Sequence, residues 1–404
     1  MINDHTSASP AQLAWRKFRR NKGAVVGLII LSLALLIAVL GALVRPDSSK
    51  DANSQNLSLS RKNVNFSVEV LKVRKNVESS TSPVWSRFFF GGEVPLYSEI
   101  ALHSYEIVGD SVFGYTYGGQ MDIKGLPFKY LLADVLWPID LTQVGELALN
   151  HSITDLQGVT HYLSREEMQA EVREKAIYTK RFLLGTDKFG RDMLSRLMAG
   201  TIVSLSVGLI SVLISLILGI GLGAMAGYFG GWVDDLITWL INVVWSIPTL
   251  LLVIAITFAL GKGFVQVFIA VGLTMWVEVA RVVRGQVLSL RNMEYIEAAR
   301  ALGYSHTRII YRHVIPNILG PVIVISAANF ASAILLEAGL SFLGIGAQIP
   351  MASWGQMIKE HYAYITTDMA YLAILPGLCI VVLVLAFMLI GSGLRDSMDT
   401  RAAG

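Results

Sequence analysis

Six apolar runs, 24–44, 201–225, 236–260, 264–283, 318–337 and 370–390, constrain this chain more than any other feature. Each reaches the ~20 residues that a helix needs to cross about 30 Å of hydrocarbon. Lipid offers no partner to an exposed peptide group, so runs of this length fold as helices that satisfy their own backbone. A length of 404 residues would otherwise suit two or three soluble domains, but 53% hydrophobic against 16% charged residues removes that reading. The expectation is an all-α polytopic membrane protein with six transmembrane helices and an α+β insertion between the first two.

Charge distribution orients the spans. Arg16, Lys17, Arg19, Arg20 and Lys22 precede the first run, and Arg281 at the end of the fourth run is followed by Arg284, Arg291, Arg300, Arg308 and Arg312 before the fifth. Basic residues in short segments stay on the cytoplasmic side. Both termini and 284–317 are therefore expected inside, with 46–199 and 341–368 outside. The turn at 228–235 carries no Lys or Arg, so the rule is silent there. A cleavable signal peptide competes for the amino terminus, but its apolar core would be ~7–15 residues. The run 24–44 is longer and reads as an uncleaved anchor. A net charge of +3 with no basic block gives no nucleic-acid footprint, and the single Cys379 excludes an intrachain disulfide.

Between the first two runs the pattern changes. Val64, Phe66, Val68 and Val70 alternate with polar residues as in a half-buried strand. Gly91-Gly92 and Gly118-Gly119 read as turns between further strands. Ser164 with Glu167 forms a capping box before a helix over roughly 165–177, and Glu171 with Lys175 is an i,i+4 pair. The expected organisation is 1–45 as cytoplasmic start and first helix, 46–199 as extracytoplasmic insertion, 200–394 as a five-helix core, and 395–404 as cytoplasmic tail.

The stretch 281–317 is too polar to span. Asn292 is an expected helix cap, with Glu294 in the first turn, and Gly303 suits the left-handed residue that ends the helix. Met293, Ile296, Ala299 and Leu302 give that helix an apolar face. Ser305 caps a second helix carrying Arg308 and Arg312 on one face. By periodicity alone this is either an interfacial linker lying on lipid or a docking element.

The residues favour docking. Glu297-Ala298-Ala299, three residues, Gly303, then His313-Val314-Ile315-Pro316 resembles the EAA loop of ABC importer permeases. The family's general pattern has Ile at the position of His313 and Leu at that of Ile315. This departure points to the dipeptide/oligopeptide/nickel branch. Leu184-Gly185-Thr186-Asp187-Lys188-Phe189-Gly190-Arg191-Asp192, the turn around Gly227–Asp234, and Glu337-Ala338-Gly339-Leu340-Ser341-Phe342-Leu343-Gly344 resemble the same branch. The resemblance covers about 12–45 loosely and about 183–401 closely. It leaves most of the insertion uncovered.

The resemblance implies a permease subunit in the bacterial cytoplasmic membrane. A second homologous permease completes the pathway, two ATPase subunits bind ATP and Mg, and a solute-binding protein delivers a di- or oligopeptide. Nickel or another small solute stays open as the cargo. The coupling residues implied are Ile296, Glu297, Ala298, Ala299, Leu302, Gly303, Arg308, Arg312 and Pro316. Asn242 and Ser246 beside the helix-breaking Pro248, and Asn329 in mid-span, are candidate pathway residues, because polar groups in a membrane must pair or face water. Glu278 and Arg281, three apart, are expected to pair near the cytoplasmic end. The chain has no phosphate-binding Gly-rich loop ending in Lys-Ser/Thr, no paired-His metal helix, no Cys cluster and no nucleophile elbow, so no catalytic residue, metal site or bound cofactor is expected. Two other classes are weighed. A membrane sensor would need a cytoplasmic output domain, and the residues after 394 leave no room for one. A secondary transporter would show related halves, and no internal repeat is visible.

Overall fold

The run after Lys22 holds no charge before Arg45 and folds as one uninterrupted helix, α2 (Lys22–Val44), preceded by the basic α1 (Pro10–Arg20). The computed structural model describes residues 10–77, 96–139, 152–162, 164–261 and 263–398. It forms two compact units: Met1–Ala38, Gly200–Ile365 and Ala373–Gly404 make one, and Val39–Ala199 with Thr366–Leu372 the other.

The second unit carries an antiparallel sheet of five strands, ordered β4-β3-β2-β1-β7. Its strands are β1 (Phe66–Arg74), β2 (Tyr97–Val108), β3 (Ser111–Tyr117), β4 (Lys124–Leu131) and β7 (Ile177–Phe182). A separate hairpin pairs β5 (Ser152–Thr154) with β6 (Thr160–Tyr162). Strand β1 is buried on both faces. Val68 and Val70 pack with Leu59, Tyr117 and Phe182, while Leu71 and Val73 pack with Leu102, Val112 and the short α3 (Leu132–Leu136). The turn at Gly118-Gly119 joins β3 to β4, whereas Gly91-Gly92 lies outside the described residues. The capping box forms, with Ser164 and Glu167 exchanging hydrogen bonds at the start of α4 (Arg165–Glu171), and Lys175 pairs with Glu171 at 2.7 Å. The helix is shorter than the expected 165–177. It widens into a five-residue turn at Val172–Ala176, and then β-branched Ile177 begins β7.

In the Leu184–Asp192 stretch, Asp187 organises the turn. Its carboxylate accepts from the Phe189 and Arg191 amides at 2.8 and 3.0 Å and from Arg191 Nε at 2.5 Å. Asp192 then accepts from the Ser195 amide at 2.8 Å at the head of α5 (Met193–Phe229).

The first unit is helical. Beyond α5 it contains α6 (Gly231–Trp245), α7 (Thr249–Leu260), α8 (Phe264–Leu290), α9 (Glu294–Ala301), α10 (His306–Ile309), α11 (Ile315–Leu343), α12 (Trp354–His361) and α13 (Tyr371–Met398). Among the described residues, five helices are long and apolar enough to cross a membrane, and a sixth span results if α6 and α7 count as one. Glycines four residues apart allow close packing of α5 on α8. A Cβ on Gly219, Gly223 or Gly227 would lie 2.4–2.7 Å from Val279, Ala280 or Val287, so the small ridge of α5 brings its backbone against α8.

The expected kink at Pro248 is a right-angle break: α6 and α7 meet at 94°. Proline cannot donate to the preceding turn and restricts the residue before it, so Ser246–Pro248 leaves the helix altogether. The helix of the Arg308 segment is likewise not separate from the fifth span. Residues His306–Leu343 run on as one helix, through a widened turn at Ile310–Val314. Pro316 has no N–H for the Arg312 carbonyl, and the wider turn accommodates that gap without ending the helix.

Candidate functional site

Helix α9 sits on the end of the bundle because two of its residues face inward. Ile296 is wholly buried and Ala299 is 4% exposed, packed with Tyr228, Val283, Val287, Ile309, Val314 and Ile318. Burying an Ile side chain contributes about 1.5–3 kcal/mol. The expected apolar face is therefore divided. Ile296 holds the helix to its own chain, while Met293 (47% exposed) and Leu302 (72% exposed) face outward with Glu297, Ala298 and Arg300. The helix cap also differs from expectation. Met293 occupies the N-cap position with no side-chain bond, one residue beyond Asn292, and Glu294 and Glu297 supply negative charge in the first turn.

The end of α9 is a complete Schellman motif. Gly303 adopts φ +76°, its amide donates to the Arg300 carbonyl at 2.9 Å, and the Tyr304 amide donates to Ala299 at 3.1 Å. Ser305 then caps α10, accepting from the Arg308 amide at 3.4 Å. The two helices are locked at a fixed angle by these few backbone bonds.

Polar contacts join this pair to the preceding turn. Tyr228 Oη and His306 Nδ1 lie 3.0 Å apart, and the Arg300 guanidinium stands 5.1 Å from the Tyr228 ring centre. Arg284 binds Asp234 through two nitrogens, and Arg291 donates to the Gly227 carbonyl at 3.4 Å. Arg308 and Arg312 are both exposed, and Arg308 also stacks 4.2 Å over Tyr304. Pro316 is exposed, and the next residue, Asn317, donates to the His313 carbonyl at 2.6 Å. Sequence reasoning missed Tyr228, Asp234 and His306 as members of this site. Tyr228 and Asp234 are more than 60 residues from the Glu-Ala-Ala stretch and join it only in the fold, whereas His306 lies seven residues beyond Ala299 and is marked by its contact with Tyr228.

The break between α6 and α7 borders a cleft of about 420 Å³ against α8 and α11. Trp245, Ile247, Thr249, Thr274, Glu278 and Ser332 contribute to its lining. Asn242, Ser246 and Pro248 flank the break with exposed side chains, outside that lining. Asn329 is fully buried, and both atoms of its amide lack a hydrogen-bond partner among the described residues. The expected Glu278–Arg281 pair is absent. Arg281 instead stacks on Trp245, 3.5 Å from the ring centre, where the indole face attracts the cation.

Two family patterns match. The binding-protein-dependent transport system inner membrane component matches residues 219–403, and the N-terminal TM domain of oligopeptide transport permease C matches residues 9–61. The chain is 42% identical over 217 residues to the dipeptide transport system permease protein DppC of Alkalihalophilus pseudofirmus, covering 54% of this chain and 71% of that one. It is 43% identical over 217 residues to the oligopeptide transport system permease protein OppC of Escherichia coli K12, covering 54% and 72%. It is 40% identical over 221 residues to the glutathione transport system permease protein GsiD of Pectobacterium atrosepticum, again covering 54% and 72%.

Proposed function

The chain belongs to the family of binding-protein-dependent transport system inner membrane components, and from that premise we propose that it is the permease subunit of an ATP-driven peptide importer. The observation that carries the reading is the identity of 40–43% to permeases of dipeptide, oligopeptide and glutathione systems. Permeases supply the route and not the hydrolysis, so two ATPase subunits holding ATP and Mg, a second homologous permease and an extracytoplasmic solute-binding protein complete the proposed machine.

The proposed topology has six spans, both termini in the cytoplasm and 46–199 outside. Counting α6 and α7 as one span keeps the basic amino terminus and the arginines of 284–312 on one side. Counting the pair as re-entrant would separate them and set the charge rule against itself.

Coupling is assigned to α9 and α10. Met293, Glu297, Ala298 and Leu302 form the face offered to an ATPase, Ile296 and Ala299 root it, and Gly303 fixes the angle to α10. The continuous helix His306–Leu343 gives displacement of this knob a rigid path into the fifth span. ATP shifts the spans only by binding one arrangement better than the other. Asn242, Ser246, Pro248 and Asn329 remain proposed components of the route around the broken span. Reconstitution of the complete transporter tests the reading: peptide uptake into proteoliposomes should require ATP and loaded binding protein. Uptake of nickel in place of peptide would move the chain to the other cargo of its branch, and no uptake of either would refute an importer.

A further inference from the structure

Glu278 is the acidic residue among the cleft-lining groups, and no lysine or arginine joins it there. It lies inside α8, 14 residues beyond Phe264, within a segment whose length and apolarity suit a membrane span. A carboxylate in such a segment is costly unless it pairs or faces water. Among the described residues no cation pairs with it, and its natural candidate, Arg281, is held on Trp245. The carboxylate is exposed at the cleft, one helical turn from Thr274, whose hydroxyl donates to the Val271 carbonyl at 2.8 Å and keeps its lone pairs for a ligand. Thr249 and Ser332 add further oxygens on the facing helices. The volume of about 420 Å³ is that of a small-molecule site.

We propose that Glu278 is a charge-selective residue of the translocation route, receiving the ammonium group of an amine-bearing solute in the cleft beside the broken span. This rests on the permease reading above. The carboxylate accepts only, and the hydroxyls around it can each turn a lone pair toward a donor, so together they complement a group that only donates. The aromatic face of Trp245 is occupied by Arg281, which leaves the carboxylate as the attractive feature for a cation. Peptides with a free amino terminus fit, and the site disfavours a leading carboxylate.

The test uses the complete reconstituted transporter with Cys379→Ser in this chain. Thr249→Cys places a thiol on the cleft wall, and its modification rate is compared for a cationic and an anionic methanethiosulfonate. The expected result is a preference for the cationic reagent about tenfold greater than that shown by a free thiol in solution, the excess being abolished by Glu278→Gln and retained by Glu278→Asp. In parallel, Glu278→Gln should lower uptake of a free-amine peptide about tenfold, with Glu278→Asp restoring most of it. A rate ratio indifferent to Glu278→Gln, or a Thr249→Cys thiol reached by neither reagent, overturns the proposal. Labelling does not depend on transport, so a parent complex that takes up no peptide refutes the function proposed above and not this charge selectivity.

Discussion

Asp234 and Arg284, 50 residues apart in sequence, meet through two of the three guanidinium nitrogens, Nε and Nη2, with Nη2 at 2.7 Å from the second carboxylate oxygen. The pair fastens the first turn of α6 to α8, the helix that leads into α9. It is partly screened from solvent, Arg284 being 30% and Asp234 17% exposed. Asp234→Asn should destabilise the assembled transporter by about 1 kcal/mol. Thermal unfolding in detergent should show this deficit shrinking as salt is raised, since salt screens the parent's pair and leaves the variant little changed. A deficit independent of salt would mean the pair acts through packing instead.

A methyl group placed on Gly303 would meet nothing within 4 Å, so only the left-handed φ of +76° constrains this position. A β-branched residue there faces a penalty of roughly 1–2 kcal/mol, while Asn tolerates the conformation. Gly303→Val should leave the transporter assembled but loosen ATP hydrolysis from uptake, and Gly303→Asn should preserve most coupling. Equal coupling in both variants, measured as peptide moved per ATP, would remove the angle between α9 and α10 from the mechanism.

The two faces of α9 predict opposite phenotypes. Ile296→Ala empties a fully buried site and should cost about 2–5 kcal/mol of stability. Leu302→Ala removes a side chain that is 72% exposed, so it should leave the melting temperature unchanged and weaken retention of the ATPase subunit about tenfold or more. Normal co-purification of the ATPase with Leu302→Ala would place the docking face elsewhere.

How far this was legible in the sequence depends on the range of the interaction. Ser164 with Glu167, Ser305 as a cap and Gly303 as a helix terminator are settled by neighbours within four residues, and all three appear as read. The cap at Met293 instead of Asn292 is a one-residue shift that tertiary packing of Ile296 decides. Pro248 announced a disturbance but not a 94° break, because the angle depends on what each arm packs against. Arg281 sits three residues from Glu278, yet Trp245 on another helix claims it. Which half of the α9 stripe faces inward is likewise a property of α8 and α11, not of α9.

Topology has a direct readout. With Cys379→Ser as background, a cysteine at Leu57, 71% exposed, should react with a membrane-impermeant thiol reagent in intact cells. A cysteine at Ser305 in the α9–α10 turn should react only after permeabilisation. The reverse pattern would invert the six-span arrangement.

Acid should loosen the loop that follows α2. Asp47 is 5% exposed and accepts from the Ser49 amide at 2.9 Å and from the Ser54 amide and hydroxyl at 3.0 Å. Burial pushes its carboxyl up, but the bonds from Ser49 and Ser54 outweigh that and hold it below its ordinary 3.8. A depressed carboxylate stabilises above its unfolded pKa, and that contribution disappears as pH falls through the folded value. Hydrogen exchange at 47–54, corrected for intrinsic rates, should be about tenfold faster in Asp47→Asn than in the parent at pH ~6, with the gap closing below pH ~3.8. A gap that persists at low pH would exclude the charge as its cause.

Phe66 and Phe182 are register partners on β1 and β7, so the strand that opens the sheet lies beside the strand that closes it, though 116 residues separate them. A fold whose entry and exit adjoin can be gained or lost as a cassette. Splicing it into a tight connection between two helices asks the host only for two adjacent attachment points, and a later deletion leaves ends close enough to be rejoined by a few residues. Lineages of this permease can therefore differ by a whole extra module while their helical machinery stays in frame.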